Sequence, residues 1–237
     1  MLFDILGGKL DKLDLIFLLL QIPIVLISLS FHELSHAYAA DKLGDHTARW
    51  NGRITMNPLK HLDPIGAISM LFFGIGWAKP VPVNPYNFKE PKKGMALTGL
   101  AGPVSNFILS FLGMLLYKIL AVITPLNVFL RGGHLYYYAG VPFTLLDVLA
   151  IFFILFSQMN SYLAIFNLIP VPPFDGSRIF YFMLPDKWYF SVMKYERIIM
   201  MATLVLLFTG VLSPVLSAVS GGVLSVFDFI IGLVPFL

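Results

Sequence analysis

The chain has 237 residues, 16 Lys and Arg against 13 Asp and Glu, no cysteine, 58% hydrophobic residues and only 12% charged. Soluble domains carry about 25% charged residues, so this composition excludes a water-soluble globular enzyme, a disordered chain and a disulfide scaffold. The net charge of +3 is too small to argue for nucleic acid, and without cysteine there is no thiolate zinc site and no thiol catalysis. An integral membrane protein remains. Its uncharged runs locate the spans, since about 20 apolar residues cross the hydrocarbon core.

The first run covers residues 15–31, and its apolar pattern continues to Ala40. It is not read as a cleaved leader, because His32, Glu33 and His36 would fall between the apolar stretch and the cleavage-like Ala37-Tyr38-Ala39. A polar segment follows over residues 41–93. Within it, Asn51-Gly52 separates His46-Thr-Ala-Arg-Trp50 from Arg53-Ile-Thr-Met56 and predicts a β-hairpin. Residues 64–78 are uncharged but short and glycine-rich, which predicts a re-entrant or interfacial piece. The prolines of Trp77-Ala-Lys-Pro-Val-Pro-Val-Asn84 keep that stretch extended as an edge or open strand. Such a strand either caps the membrane domain or, through Val81 and Val83, offers an edge to an extended peptide substrate.

Residues 94–117 form the second clear span, in which Ser105 and Asn106 either serve helix packing or line a site. Asn106 is accordingly a candidate substrate-binding residue beside Val81 and Val83. Residues 148–174 and 198–227 supply the remaining runs. The last contains Ser213-Pro214 and Ser220-Gly221-Gly222, and reads as one broken helix or two. The predicted fold is an all-α polytopic helical bundle of roughly four to six spans with a small cytosolic-side β-hairpin or strand insertion. A single membrane-embedded domain covers residues 1–237, with its core at 15–180 and C-terminal helices at 188–237.

Basic residues set the orientation. Eight lie in residues 41–93, four in 170–197, one in 122–141 and none after Arg197. Residues 41–93 and 170–197 are therefore expected in the cytosol, and 122–141 on the other side with the N-terminus.

The chemistry begins at Phe31-His32-Glu33-Leu34-Ser35-His36. Histidines at i and i+4 share one helix face, where both can ligate one zinc ion while the glutamate beside the first reaches a water on it. This composition yields only about 0.001 chance matches to His-Glu-x-x-His. Ionisable groups at the end of an apolar run are costly and usually functional. A catalytic zinc needs a third protein ligand. Asp147, Asp175 and Asp228 flank the later runs, and Asp175 alone shares the expected membrane side of His32 and His36. It follows Asn167-Leu-Ile-Pro-Val-Pro-Pro-Phe, a proline-broken helix end. Broken backbone at membrane depth needs a protein-lined or water-filled cavity. His46, His61 and His134 lie in polar connections and are expected to be solvated.

These motifs resemble the site-2 protease family of intramembrane zinc metalloproteases. The resemblance rests on His-Glu-x-x-His, on Asn-x-x-Pro-x-Pro-x-x-Asp-Gly at 167–176, on Ala101-Gly-Pro-Val-Ser-Asn106 and on the Gly76–Asn84 strand, and so spans about residues 30–180. It implies His32, His36 and Asp175 as ligands of one zinc ion, Glu33 as catalytic residue, and Asn167 as a catalytic group polarising the scissile carbonyl. It also implies a single-span membrane protein or signal-peptide remnant as substrate, in the plasma membrane of a prokaryote with the active site toward the cytosol. The PDZ and nucleotide-binding modules of many relatives do not fit here, where the 122–141 connection is short and the tail apolar. The alternative is a membrane cation or zinc transporter, which should show several carboxylates within its spans.

Overall fold

The computed structural model describes residues 12–61, 63–66, 78–131, 134–138 and 140–234. In chain order these form α1 (Lys12–Lys42), α2 (Thr47–Trp50), α3 (Pro58–His61) and α4 (Pro91–Ile123), then a hairpin of β1 (Val128–Arg131) and β2 (His134–Tyr137). After it come α5 (Leu145–Asn167), α6 (Gly176–Met183), α7 (Asp186–Phe208) and α8 (Ser213–Gly232). Four helices are long and apolar enough to cross a membrane: α1 from Leu15 onward, α4, α5 and α8. With 31 and 33 residues, α1 and α4 are about 46 and 50 Å long at 1.5 Å per residue. Both therefore outreach a hydrocarbon core of about 30 Å, and His32 lies about 25 Å along α1 from Leu15.

The last apolar run proves to be two helices. α7 ends at Phe208, and Gly210 turns the chain with φ +71°, a left-handed conformation that only glycine adopts freely. Pro214 then occupies the first turn of α8, where its missing N–H is harmless.

α4 lies at the centre, packed on α1, α5 and α6, while α8 leans on α5. The apolar core joins Met114, Tyr117 and Leu120 of α4 to Ala150, Ile151 and Ile154 of α5 and Leu224 and Ile231 of α8. Gly113 lets α4 approach α5 closely, since a Cβ there would sit 3.1 Å from the Phe153 carbonyl. Toward the histidine end the interfaces become polar and stay buried. Ser110 and Ser157 exchange hydrogen bonds with each other's backbone carbonyls at 2.8 and 2.7 Å, and Ser220 donates to Ser161 at 3.0 Å. Small hydroxyl residues close such contacts within a bilayer, where helices gain little from burying apolar surface against each other.

The sheet is not where the sequence placed it. Asn51-Gly52 forms no hairpin: α2 ends there in a Schellman cap, with Gly52 N–H donating to Arg49 O and Arg53 N–H to Ala48 O, both at 2.9 Å. Gly52 has φ +63°, a conformation that serves a helix end and a hairpin turn equally well. The antiparallel hairpin lies instead in the 122–141 connection, with Val128 opposite Tyr137 and Arg131 opposite His134. That register leaves only Gly132-Gly133 between the strands, a two-residue turn signal in its own right.

Within 64–78, residues 67–77 lie outside the described residues, as do Gly76 and Trp77 of the expected strand. From Ala78 to Asn84 the chain is irregular and pinned at both ends. Lys79 N–H donates to His61 O at 2.8 Å, its carbonyl accepts from Arg53, and Asn84 N–H donates to Asp45 at 2.7 Å.

Candidate metal centre

α1 carries His32 and His36 one turn apart, with the imidazoles edge to face and their centroids 4.6 Å apart. Both residues are buried, as is Glu33 between them. α5 ends at Asn167, and residues 168–175 fold back before α6 begins at Gly176. A Cβ at Gly176 would collide with the Leu168 carbonyl, and one at Gly99 would sit 3.1 Å from the Asp175 carbonyl. These two glycines let the broken segment close on itself and on α4. Asp175 is thereby delivered to the histidine pair: its Oδ2 lies 3.1 Å from His32 Nε2 and 3.2 Å from His36 Nε2, while the two nitrogens are 3.0 Å apart. Among the described residues this is the cluster that offers three ligand atoms converging on one point.

Protonation decides what the triangle is for. His36 Nδ1 donates to the Thr98 carbonyl at 2.7 Å, and a carbonyl can only accept. His32 Nδ1 meets Asn106 Oδ1 at 2.5 Å, because the Asn106 amide nitrogen is already donating to Asn160 at 2.7 Å. Both imidazoles thus hold a proton on Nδ1, and in its neutral form each presents a bare Nε2 lone pair to the centre. Asp175 Oδ2, buried and without a hydrogen-bond donor, adds a third acceptor. Three acceptors facing one another without a proton repel unless a cation joins them. Zinc bonds of about 2.0–2.2 Å in tetrahedral geometry separate donors by about 3.3 Å or slightly more, close to the observed triangle. The donor set therefore fits zinc, and each histidine has the partner that fixes its tautomer in such sites.

Gly102 is indispensable to this packing. A Cβ there would run into the rings of both His32 and His36. Pro103 follows and offers no N–H to the Gly99 carbonyl. α4 therefore presents a flat, locally opened backbone to the imidazoles.

The chain matches the profile of peptidase family M50 over residues 20–210. It belongs to that family, the site-2 proteases. YwhC of Bacillus subtilis, which bears the name of a zinc metalloprotease, is 39% identical over 212 residues, covering 87% of this chain and 90% of its own. Rip2 of Mycolicibacterium smegmatis, named likewise, is 27% identical over 156 residues, 64% of this chain and 52% of the relative. Zinc metalloprotease MJ0392 of Methanocaldococcus jannaschii is 29% identical over 173 residues, 73% of this chain and 35% of the relative. No solved structure matches the chain. Family and donor set together identify the cofactor as zinc and the protein as a zinc metallopeptidase of the membrane.

The centre opens into a cleft of about 620 Å³ whose walls include Glu33, Val81, Val83, Asn167 and Arg178. Glu33 accepts no hydrogen bond from any described residue. The Asn167 side chain reaches the cleft but donates to its own helix at Leu163 O, 3.0 Å away. Arg178 is held by Glu196 of α7 at 3.1 Å. Val81 and Val83 line the cleft beside His32, His36 and Asp175. Asn106 does not. It is fully buried behind His32, with its amide engaged by His32 on one side and Asn160 on the other.

Other expectations are corrected by burial. His61 is fully buried, with Nε2 2.7 Å from the Thr55 carbonyl, because α3 tucks against α1. His46 is half exposed yet bonded to Asp41 at 2.8 Å, and the His134 side chain lies outside the described residues. Sequence reasoning passed over the Thr98 carbonyl and Asn160, and met Gly102 only as part of the Ala101–Asn106 motif, without a role. Asn160 left a trace of its own, as an amide in an apolar run, where polar residues are expensive.

Proposed function

We propose that this chain is an intramembrane endopeptidase, a single domain that cleaves peptide bonds in or near the transmembrane segment of a membrane-protein substrate. The observation that carries the reading is Glu33 in the wall of one cleft with the three converging ligand atoms of His32, His36 and Asp175, a cleft that Val81 and Val83 also line. His32, His36 and Asp175 hold the zinc ion, which when bound supplies Lewis acidity and a water whose pKa falls toward about 7. Glu33 is the base: it takes a proton from the attacking water and delivers it to the leaving amide nitrogen.

A transmembrane helix hides its carbonyls in its own hydrogen bonds, so the substrate must be held unwound. Val81 and Val83 are suited to this. In an extended conformation their N–H and C=O groups share one edge of the segment, whereas Pro80 and Pro82 leave the other edge without N–H donors. A substrate strand added at the valine edge runs past Glu33. Asn167, turned from Leu163 O toward the cleft, donates to the scissile carbonyl as charge builds there.

The basic residues of 41–93 and 170–197 support a cytosolic position for this end of the bundle. The bacterial and archaeal relatives support a prokaryotic plasma membrane. Substrates of this class are single-span proteins or signal-peptide remnants. The test is Glu33→Gln against a panel of single-span substrates, with metal analysis of both proteins. Zinc retained with cleavage abolished is expected; cleavage at the parental rate refutes Glu33 as base.

A further inference from the structure

The acceptor triangle requires His32 to carry its proton on Nδ1, and the origin of that choice lies two residues away from the metal, on α5. Asn160 Nδ2 donates to the Phe156 carbonyl and to Ser28 Oγ of α1, each at 2.8 Å. A backbone carbonyl cannot donate, so the Asn160 amide has one permitted orientation, with its oxygen toward α4. That oxygen can only accept, so Asn106 must turn its NH2 group to Asn160, at 2.7 Å. The Asn106 oxygen is then left facing His32 Nδ1 at 2.5 Å, and Nε2 is left bare. Each step admits one answer. Asn160, Asn106 and Ser28 are all fully buried, so no water can supply a missing partner or reverse the sequence of donors.

We infer that Asn160 is a positioning residue for the metal centre: anchored on Phe156 O and Ser28, it orients the Asn106 amide and through it fixes the zinc-binding tautomer of His32. The inference rests on His32 being a zinc ligand, and it assigns Asn160 a role beyond helix packing. The nearby Ser110–Ser157 pair provides the contrast. It joins the same two helices at 2.7–2.8 Å but connects to neither histidine.

The test measures zinc affinity by chelator competition on the purified full-length protein in detergent, together with the absorption spectrum of the cobalt-loaded form. The proteins are wild type, Asn160→Leu, Asn106→Leu, the double variant and Ser157→Ala. Partners that orient a ligand histidine are worth about 10–100-fold in metal affinity. Asn160→Leu is expected to bind zinc about tenfold more weakly and to shift the cobalt spectrum. The double variant should bind no more weakly than Asn106→Leu alone, because both act through one hydrogen bond. Ser157→Ala should keep parental affinity.

Parental affinity in Asn160→Leu overturns the inference. So do losses that multiply in the double variant, which would mean two independent structural effects. If Asn160→Leu does not fold, Asn160→Asp replaces it. That change puts an oxygen against Phe156 O with almost no change of shape, and the same readings decide. Undiminished zinc binding by His32→Ala would instead remove the ligand assignment. A wild type that binds zinc but cleaves nothing would remove the peptidase reading and leave the relay standing.

Discussion

α5 is flanked by two aspartates, the buried Asp147 and the half-buried Asp175, and they differ in one respect that separates architecture from chemistry. At its start, Asp147 is fully buried and fully paired. It accepts from Asn127 N–H and side-chain NH2 at 2.7 and 3.0 Å, and from Thr144 N–H and hydroxyl at 2.8 and 2.7 Å. With Thr144 Oγ1 accepting from Asp147 N–H, this is a reciprocal capping box. Beyond the other end, Asp175 Oδ2 meets only Nε2 of His32 and Nε2 of His36. The chain satisfies the first carboxylate by itself and leaves the second for a cation. Buried polar groups are normally paired, so it is the deficit at Asp175, more than its acidity or depth, that marks a working site.

The sharpest way to break this contrast is to remove each carboxylate in turn. Asp175→Ala should abolish cleavage and weaken zinc binding by more than about 100-fold, read by chelator competition; zinc affinity at the parental level would remove Asp175 from the donor set. Asp147→Ala should do the reverse. It strands several buried donors at about 1–3 kcal/mol each, so a stability loss of about 3 kcal/mol is expected with zinc affinity unchanged, read from thermal melts beside the same competition assay.

Gly102→Ala probes the wall behind the ligands. Its methyl group must displace both imidazoles, and we expect about tenfold weaker zinc binding with little change in the chelated Tm. The smallest effect concerns Asp45, a fully buried carboxylate just beyond α1. Burial alone would raise its pKa, but donors from Thr47, Asn87 and Asn84 outweigh that and hold the carboxyl below the ordinary range. A carboxyl lowered on folding stabilises the protein above its unfolded pKa near 4, and that stabilisation disappears as pH falls through the folded value. The Tm difference between wild type and Asp45→Asn should therefore be present at pH 6 and shrink toward pH 3.

Much of this was legible in the chain because the physics involved is local. A hydrophobic run of bilayer length must be a helix, and His-Glu-x-x-His on that helix has a fixed spacing whatever surrounds it. Asp175 was also within reach, since a triple-proline break ends a helix at a known place and charge asymmetry puts it on the histidine side. Asn51-Gly52 misled for an equally local reason: a glycine at positive φ is needed both in a two-residue hairpin turn and at a helix end. Four residues of α2 decided between them. Gly132-Gly133 carried the same signal at the true hairpin.

The sequence by itself thus determined a polytopic membrane protein of roughly four to six spans, a histidine pair with a glutamate between, and Asp175 as the carboxylate expected on the same side. Only the tertiary structure decided what Asn106, Asn160, Gly102 and His61 do. Their roles depend on which helix faces them, and hydrogen-bond polarity and steric contact are properties of a pair of surfaces, so no single stretch of chain encodes them. The Phe156 carbonyl illustrates this: every residue has one, and its influence on His32 exists only because α1, α4 and α5 meet at that depth.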